Sequence, residues 1–119
     1  MEENHTHVDM NKYYDRFVDL LETMKKDNPK YVEAFMGFFK EAEKPGALDT
    51  KTKELISLAI GVKSQCAYCI AFHTKNAIRL GATRQEIMEA GYVATLMGGG
   101  PAITYLRYVV DACDQFGAK

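Results

Sequence analysis

At 119 residues the chain has the length of one domain, enough to bury a core but near the lower end for enzymes. Hydrophobic residues make up 47% and charged residues 26%, ordinary for a soluble globular protein, and a net charge of -1 argues against nucleic acid or an anionic membrane as the main partner. No apolar run approaches the roughly 20 residues of a membrane span, and the acidic, polar start MEENHTHVDMNKYYD is not a secretory signal, so a cytoplasmic location is expected.

Residues 1–10 read as a flexible tail, in which His5 and His7 are expected to be solvated. The remainder, 11–119, reads as one helical domain. Tyr13 to Lys26 carries apolar residues at the three-and-four spacing of an amphipathic helix. Asn28-Pro29 breaks it, and Pro29 suits the first position of a second helix that runs to Glu43. That second helix is rich in aromatics (Tyr31, Phe35, Phe38, Phe39) over more than one face; most of these rings are expected to be plain core, with a second buried side against another subunit or a site wall as the alternative. Lys44-Pro45-Gly46 is a turn. Asp49 or Thr50 then caps a helix through Glu54, Leu58 and Val62 that is apolar nearly all round and therefore central.

Ser64 is the expected cap of the next helix, with Cys66 in its first turn and Gly81 as its left-handed stop. Thr83-Arg84-Gln85-Glu86 has the form of a capping box and opens a further helix. Gly98-Gly99-Gly100-Pro101 is a sharp break after which a helix restarts, and it lacks the context of a phosphate loop. The last helix stacks Tyr105, Tyr108, Val109, Ala112, Cys113 and Phe116 on one stripe, where Cys113 is a small buried hydrophobe. No segment alternates apolar and polar residues over a strand's length. The expected fold is all-α, a single-domain bundle of five to six helices.

The chemistry concentrates between Glu54 and His73. Cys66 and Cys69 form a Cys-x-x-Cys pair, His73 follows Cys69 by four residues, and Glu54 precedes Cys66 by twelve. On a helix this spacing puts both thiols and the imidazole on one face. Only the thiolate is a good nucleophile, and two agents can generate it here: the positive end of the helix near Cys66, and His73 as a base one turn beyond Cys69. Glu54 can orient the imidazole. Two neighbouring thiols can close a disulfide after one is oxidised to sulfenic acid. In a reduced compartment, an odd count of three cysteines with one such pair points to redox or metal chemistry rather than a structural staple. Zinc is the main rival and would take Cys66, Cys69 and His73, with Glu54 available as a fourth ligand. Structural zinc sites usually draw on two separated pairs, so no metal is expected.

Glu54-x11-Cys66-x-x-Cys69-x3-His73 closely resembles the signature of the carboxymuconolactone decarboxylase / alkylhydroperoxidase D-like family. LDTKTKELISLAIGV before the cysteines, HTKNAIRLGATRQEIMEA after them and GGGPA further on fit as well; the resemblance spans roughly residues 30–115. It implies a helical subunit that assembles into trimers or hexamers, and a thiol peroxidase without metal or organic cofactor. Hydrogen peroxide or organic hydroperoxides would be the substrates and an external dithiol the reductant. By the family pattern Cys69 attacks the peroxide, Cys66 resolves, and Glu54 and His73 relay protons. Helix position alone would favour Cys66 as the more acidic thiol; the nearness of His73 favours Cys69. One departure is Tyr68, which stands between the cysteines where alkylhydroperoxidase D members carry a second histidine. Tyr68 can donate a hydrogen bond but is a weaker base. Alternatives are a non-enzymatic redox sensor, a disulfide reductase, or a lactone decarboxylase, which the cysteines argue against.

Overall fold

A computed structural model describes residues 7–119. Five helices run in order α1 (Met10–Asp27), α2 (Pro29–Glu43), α3 (Thr50–Lys63), α4 (Ala67–Arg79) and α5 (Arg84–Phe116), and the described residues hold no strand. The all-α expectation holds. Each start has a local cause. Asp9 caps α1 by accepting from the Asn11 N–H, Pro29 opens α2, and Asp49 caps α3 by accepting from the Thr52 N–H. Thr83 and Glu86 form the full capping box of α5. The Thr83 N–H, followed by the ammonium of Lys51, holds the Glu86 carboxyl below its ordinary range.

Two local expectations are corrected. Ser64 does not cap α4; it closes α3, its N–H returning to the Ile60 carbonyl. The chain then turns through Gln65 in the left-handed region (φ 57°), and Cys66 itself is the N-cap of α4, one position before the first turn. Of the expected tail, residues 1–6, His5 among them, lie outside the described residues. Val8 to Met10 are docked: the Val8 N–H donates to Asp111 Oδ2 (2.8 Å), the Met10 N–H donates to Gln115 Oε1 (2.7 Å), and Met10 is fully buried.

The core gathers Leu58 and Val62 of α3, Ile70, Ala71 and Ala77 of α4, and Ile87, Ala94, Val109, Ala112 and Cys113 of α5, with Met10 closing one end. α3 is central, packed on α4 and α5, although Ile56 and Ile60 on its outer side are exposed. α1 lies over α4 and α5, and α2 rests on α1, touching α3 only at its end.

α5 is not one rod. Gly99 adopts φ 65°, ψ -149°, a backbone state closed to other residues, and Pro101 follows. A Cβ placed on Gly91 would meet Leu106 Cδ2 at 2.8 Å, although fifteen residues of straight helix would separate the two by about 22 Å. Arg84 near the start also pairs with Asp114 near the end. The expected break therefore folds α5 into two limbs that pack on each other around the core.

Candidate active site

α3 and α4 hold the site, and the reason they can is Gly61. The Cys66 N–H donates to the Gly61 carbonyl (3.0 Å), and a Cβ at Gly61 would lie 3.1 Å from Cys69 Cβ. A side chain at Gly61 would press on Cys69, so the glycine gives α3 room to pass close to the cysteines. Cys66 and Cys69 are joined as a disulfide with Cα atoms 5.2 Å apart, and both are half-buried. As N-cap, Cys66 Sγ accepts from the Cys69 N–H at 3.1 Å, so one sulfur sits in the field of the first turn of α4.

One and a half turns into α4, His73 Nδ1 lies 2.6 Å from Glu54 Oε1. Glu54 is 3% exposed, and Asn76 Nδ2 donates to its second oxygen at 3.3 Å. The carboxylate is thus held from two positions of α4 three residues apart. With Nδ1 engaged, Nε2 is the ring nitrogen left for proton exchange. The lysines flanking Glu54 on α3 are engaged elsewhere: Lys51 binds Glu86, and Lys53 binds the Lys44 carbonyl.

The disulfide and His73 share the wall of a cavity of about 890 Å³ between α1, α2 and α4. Phe17, Phe35, Met36, Phe39 and Phe72 make most of its surface apolar. Phe72 is the hub, with Phe17, Phe39, Tyr14 and His73 all ring-to-ring within 6.1 Å of it. The core expectation for the α2 aromatics fails, since Val32 is the buried residue of that helix: Phe35 and Phe39 supply a site wall, and Tyr31 and Phe38 remain exposed. Tyr68 lines the same cavity; its hydroxyl accepts from Arg16 Nε at 3.1 Å and its ring meets the edge of Tyr13.

The structure thus brings Cys66, Cys69 and Tyr68 to one cavity with His73, and backs His73 with Glu54. Four contributors were not singled out from sequence. Asn76 lies three residues after His73 on the same helix face, a legible signal. Gly61, Arg16 and Glu43 belong to other elements and gave none. Glu43, at the end of α2, offers an oxygen within 4.8 Å of ligating atoms of both Glu54 and His73. Cys113 is buried away from the cavity, and burial pushes its thiol up to about 11.

Paired cysteines and a carboxylate-backed histidine thus share one cavity of a helical chain. The carboxymuconolactone decarboxylase family profile matches residues 29–112. The chain is 40% identical to an uncharacterized protein of Cupriavidus necator over 90 residues, covering 76% of this chain and 80% of that protein. It is similarly 40% identical over 83 residues to uncharacterized protein 4 of the cox locus of Paracoccus denitrificans, covering 70% and 75%. A crystal structure of a carboxymuconolactone decarboxylase family protein from Legionella pneumophila superposes with a TM-score of 0.87 at 36% identity, covering 90% of this chain and 96% of that one. A family protein of Thermotoga maritima, whose suggested involvement is in an antioxidative response, gives 0.76 at 30% identity, covering 87% and 88%. The chain belongs to the carboxymuconolactone decarboxylase family.

Proposed function

We propose that the protein is a cytoplasmic thiol peroxidase that works without metal or organic cofactor. The observation that carries this reading is one cavity wall bearing the Cys66–Cys69 pair and His73, with His73 Nδ1 bound to the buried Glu54 at 2.6 Å. In the reduced enzyme, Cys69 gives its proton to His73 Nε2, and Glu54 stabilises the imidazolium. The Cys69 thiolate attacks a hydroperoxide oxygen, the O–O bond breaks, and the departing alkoxide or hydroxide takes the proton from His73. Cys69 is now a sulfenic acid. Cys66 attacks that sulfur, the S–S bond forms, and the hydroxyl leaves as water with the Cys66 proton. An external dithiol returns two electrons and two protons and restores both thiols.

The N-cap position of Cys66 supports its role as a resolving thiol that ionises readily once Cys69 is oxidised. Tyr68 takes the place of a second base; bound to Arg16, it shapes the cavity mouth and leaves His73 to carry the proton alone. The apolar wall favours organic hydroperoxides over hydrogen peroxide. Exposed Tyr92, Val93, Leu96 and Met97 on the first limb of α5 support assembly of several copies into a trimer or hexamer. The decisive assay follows peroxide consumption with dithiothreitol as electron donor. Wild type is expected to turn over and Cys69→Ser to lose turnover by at least about a hundredfold; wild-type-like turnover in Cys69→Ser defeats the mechanism. A protein that forms and loses its disulfide yet consumes no peroxide catalytically is instead a redox sensor or a disulfide reductase.

A further inference from the structure

Glu43 closes α2 directly beside the relay, and its carboxylate is poorly provided for. Oε1 is buried with no hydrogen-bond partner. Oε2 has one candidate donor, the Ser57 hydroxyl at 3.1 Å, whose single hydrogen is also claimed by the Lys53 carbonyl at 2.9 Å. Among the described residues Glu43 has no lysine or arginine partner: Lys44 pairs with Glu41, and the Lys53 ammonium is turned to the Lys44 carbonyl. A buried carboxylate oxygen without a partner is costly unless something nearby compensates it. A group beside it that can become positive is His73, since one oxygen of Glu43, one of Glu54 and one ring nitrogen of His73 all lie within 4.8 Å of one another.

We propose that Glu43 is a positioning residue of the site, stabilising through space the imidazolium that forms when His73 takes a thiol proton. In that step the Cys69 S–H bond breaks, an N–H bond forms at Nε2, and no electrons change hands. Glu54 steadies the new charge through its hydrogen bond at Nδ1, and Glu43 adds a second negative charge close by. Two backbone ties keep it there. The Thr50 hydroxyl donates to the Glu43 carbonyl at 2.8 Å, and the N–H of Lys44, the C-cap of α2, donates to the Lys40 carbonyl at 3.0 Å. The end of α2 is thereby fastened to the start of α3, with Ser57 one turn past Glu54's neighbour Lys53.

The inference rests on His73 acting as the thiol base, not on peroxide being the oxidant, so its test avoids peroxide. The reduced protein is alkylated with iodoacetamide at pH 7 and modification at Cys66 and Cys69 is followed separately by mass spectrometry. Glu43→Gln keeps shape and the Ser57 contact while removing the charge. It is expected to slow Cys69 alkylation about tenfold, less than the roughly hundredfold floor for losing a general base outright. Glu43→Asp, which retains the charge, is expected to stay within about twofold of wild type. In a His73→Gln background, Glu43→Gln is expected to have no further effect, because its action passes through His73. Wild-type reactivity in Glu43→Gln overturns the proposal, as does the same slowing in the absence of His73. So does a slow Glu43→Asp, which would make the role one of fit. One equivalent of Zn²⁺ or Mn²⁺ held by wild type and released by Glu43→Gln would also overturn it, assigning the cluster to a cation. If Glu43→Gln slows Cys69 alkylation as expected but wild type does not consume peroxide, the inference stands and the peroxidase reading falls.

Discussion

Cys66 and Cys113 are both helix-associated cysteines, and their surroundings separate them by chemistry. Cys66 caps α4, is half-buried, and meets an N–H; Cys113 is 1% exposed within the core, where desolvation pushes its thiol up to about 11. The raised value makes a stability prediction with a definite sign. An unfolded cysteine ionises near pH 8.5, so between about 8.5 and 11 the unfolded chain has lost a proton that the native chain keeps. Stability is therefore expected to fall as pH rises through that window, by on the order of 2 kcal/mol from this thiol. Urea unfolding at pH 8 and pH 10.5, comparing wild type with Cys113→Ala, isolates it: the difference between the two proteins should change with pH, and a constant difference refutes the assignment. At the same scale, Asp111 is fully buried yet serves two partners of different kind, a backbone amide and a guanidinium. Val8 donates to Oδ2, while Arg107 Nη2 lies 3.1 Å from Oδ1 as an ion pair without a hydrogen bond's angles.

At the scale of elements, the bend in α5 decides how a long C-terminal segment can wrap a small core. Gly99 sits at φ 65°, ψ -149° with nothing within 4 Å of where its Cβ would be, so a side chain there would meet no clash, only a forbidden backbone state. Gly99→Ala is expected to cost about 1–3 kcal/mol. Gly100→Ala, equally open but without a positive φ, should be neutral or slightly stabilising, by up to about 1 kcal/mol. Denaturant midpoints of the two variants measure this directly, and equal midpoints would mean that the bend does not depend on Gly99. Gly61 is the opposite case. Its conformation is helical, and what it supplies is room for Cys69 against α3.

At the scale of the whole molecule, the chain exposes several large apolar side chains on α5. Leu96 is 80% and Met97 75% exposed, with Tyr92 and Val93 beside them in sequence on the outer side of α5. Such a patch on a chain with net charge -1 is a liability in a monomer and a resource in an assembly. Light scattering is expected to give an oligomer for wild type and a monomer for Leu96→Glu combined with Met97→Glu, with helical content unchanged. A monomeric wild type refutes the assembly. Among the described residues no helix is long and apolar enough to cross a membrane.

The sequence alone determined what short-range physics encodes. The caps at Asp49 and Thr83, the proline start at Pro29 and the glycine stops at Gly81 and Gly99 each act within a turn of themselves. They set the helices almost to the residue. The pairing of Cys66 with Cys69 and the trailing His73 were legible for the same reason, since all three ride one helix. The Ser64 cap failed because three candidate polar residues lie between two helices, and only the left-handed turn at Gln65 selects Cys66 as the cap. What the tertiary structure decided is every relation that crosses between helices. Glu54 meets His73 because α3 passes α4 closely at Gly61; Glu43 joins them because Thr50 ties α2 to α3; the aromatic wall exists because α1 and α2 fold over the disulfide. Those contacts come from packing of distant segments, and no local pattern in the chain records them.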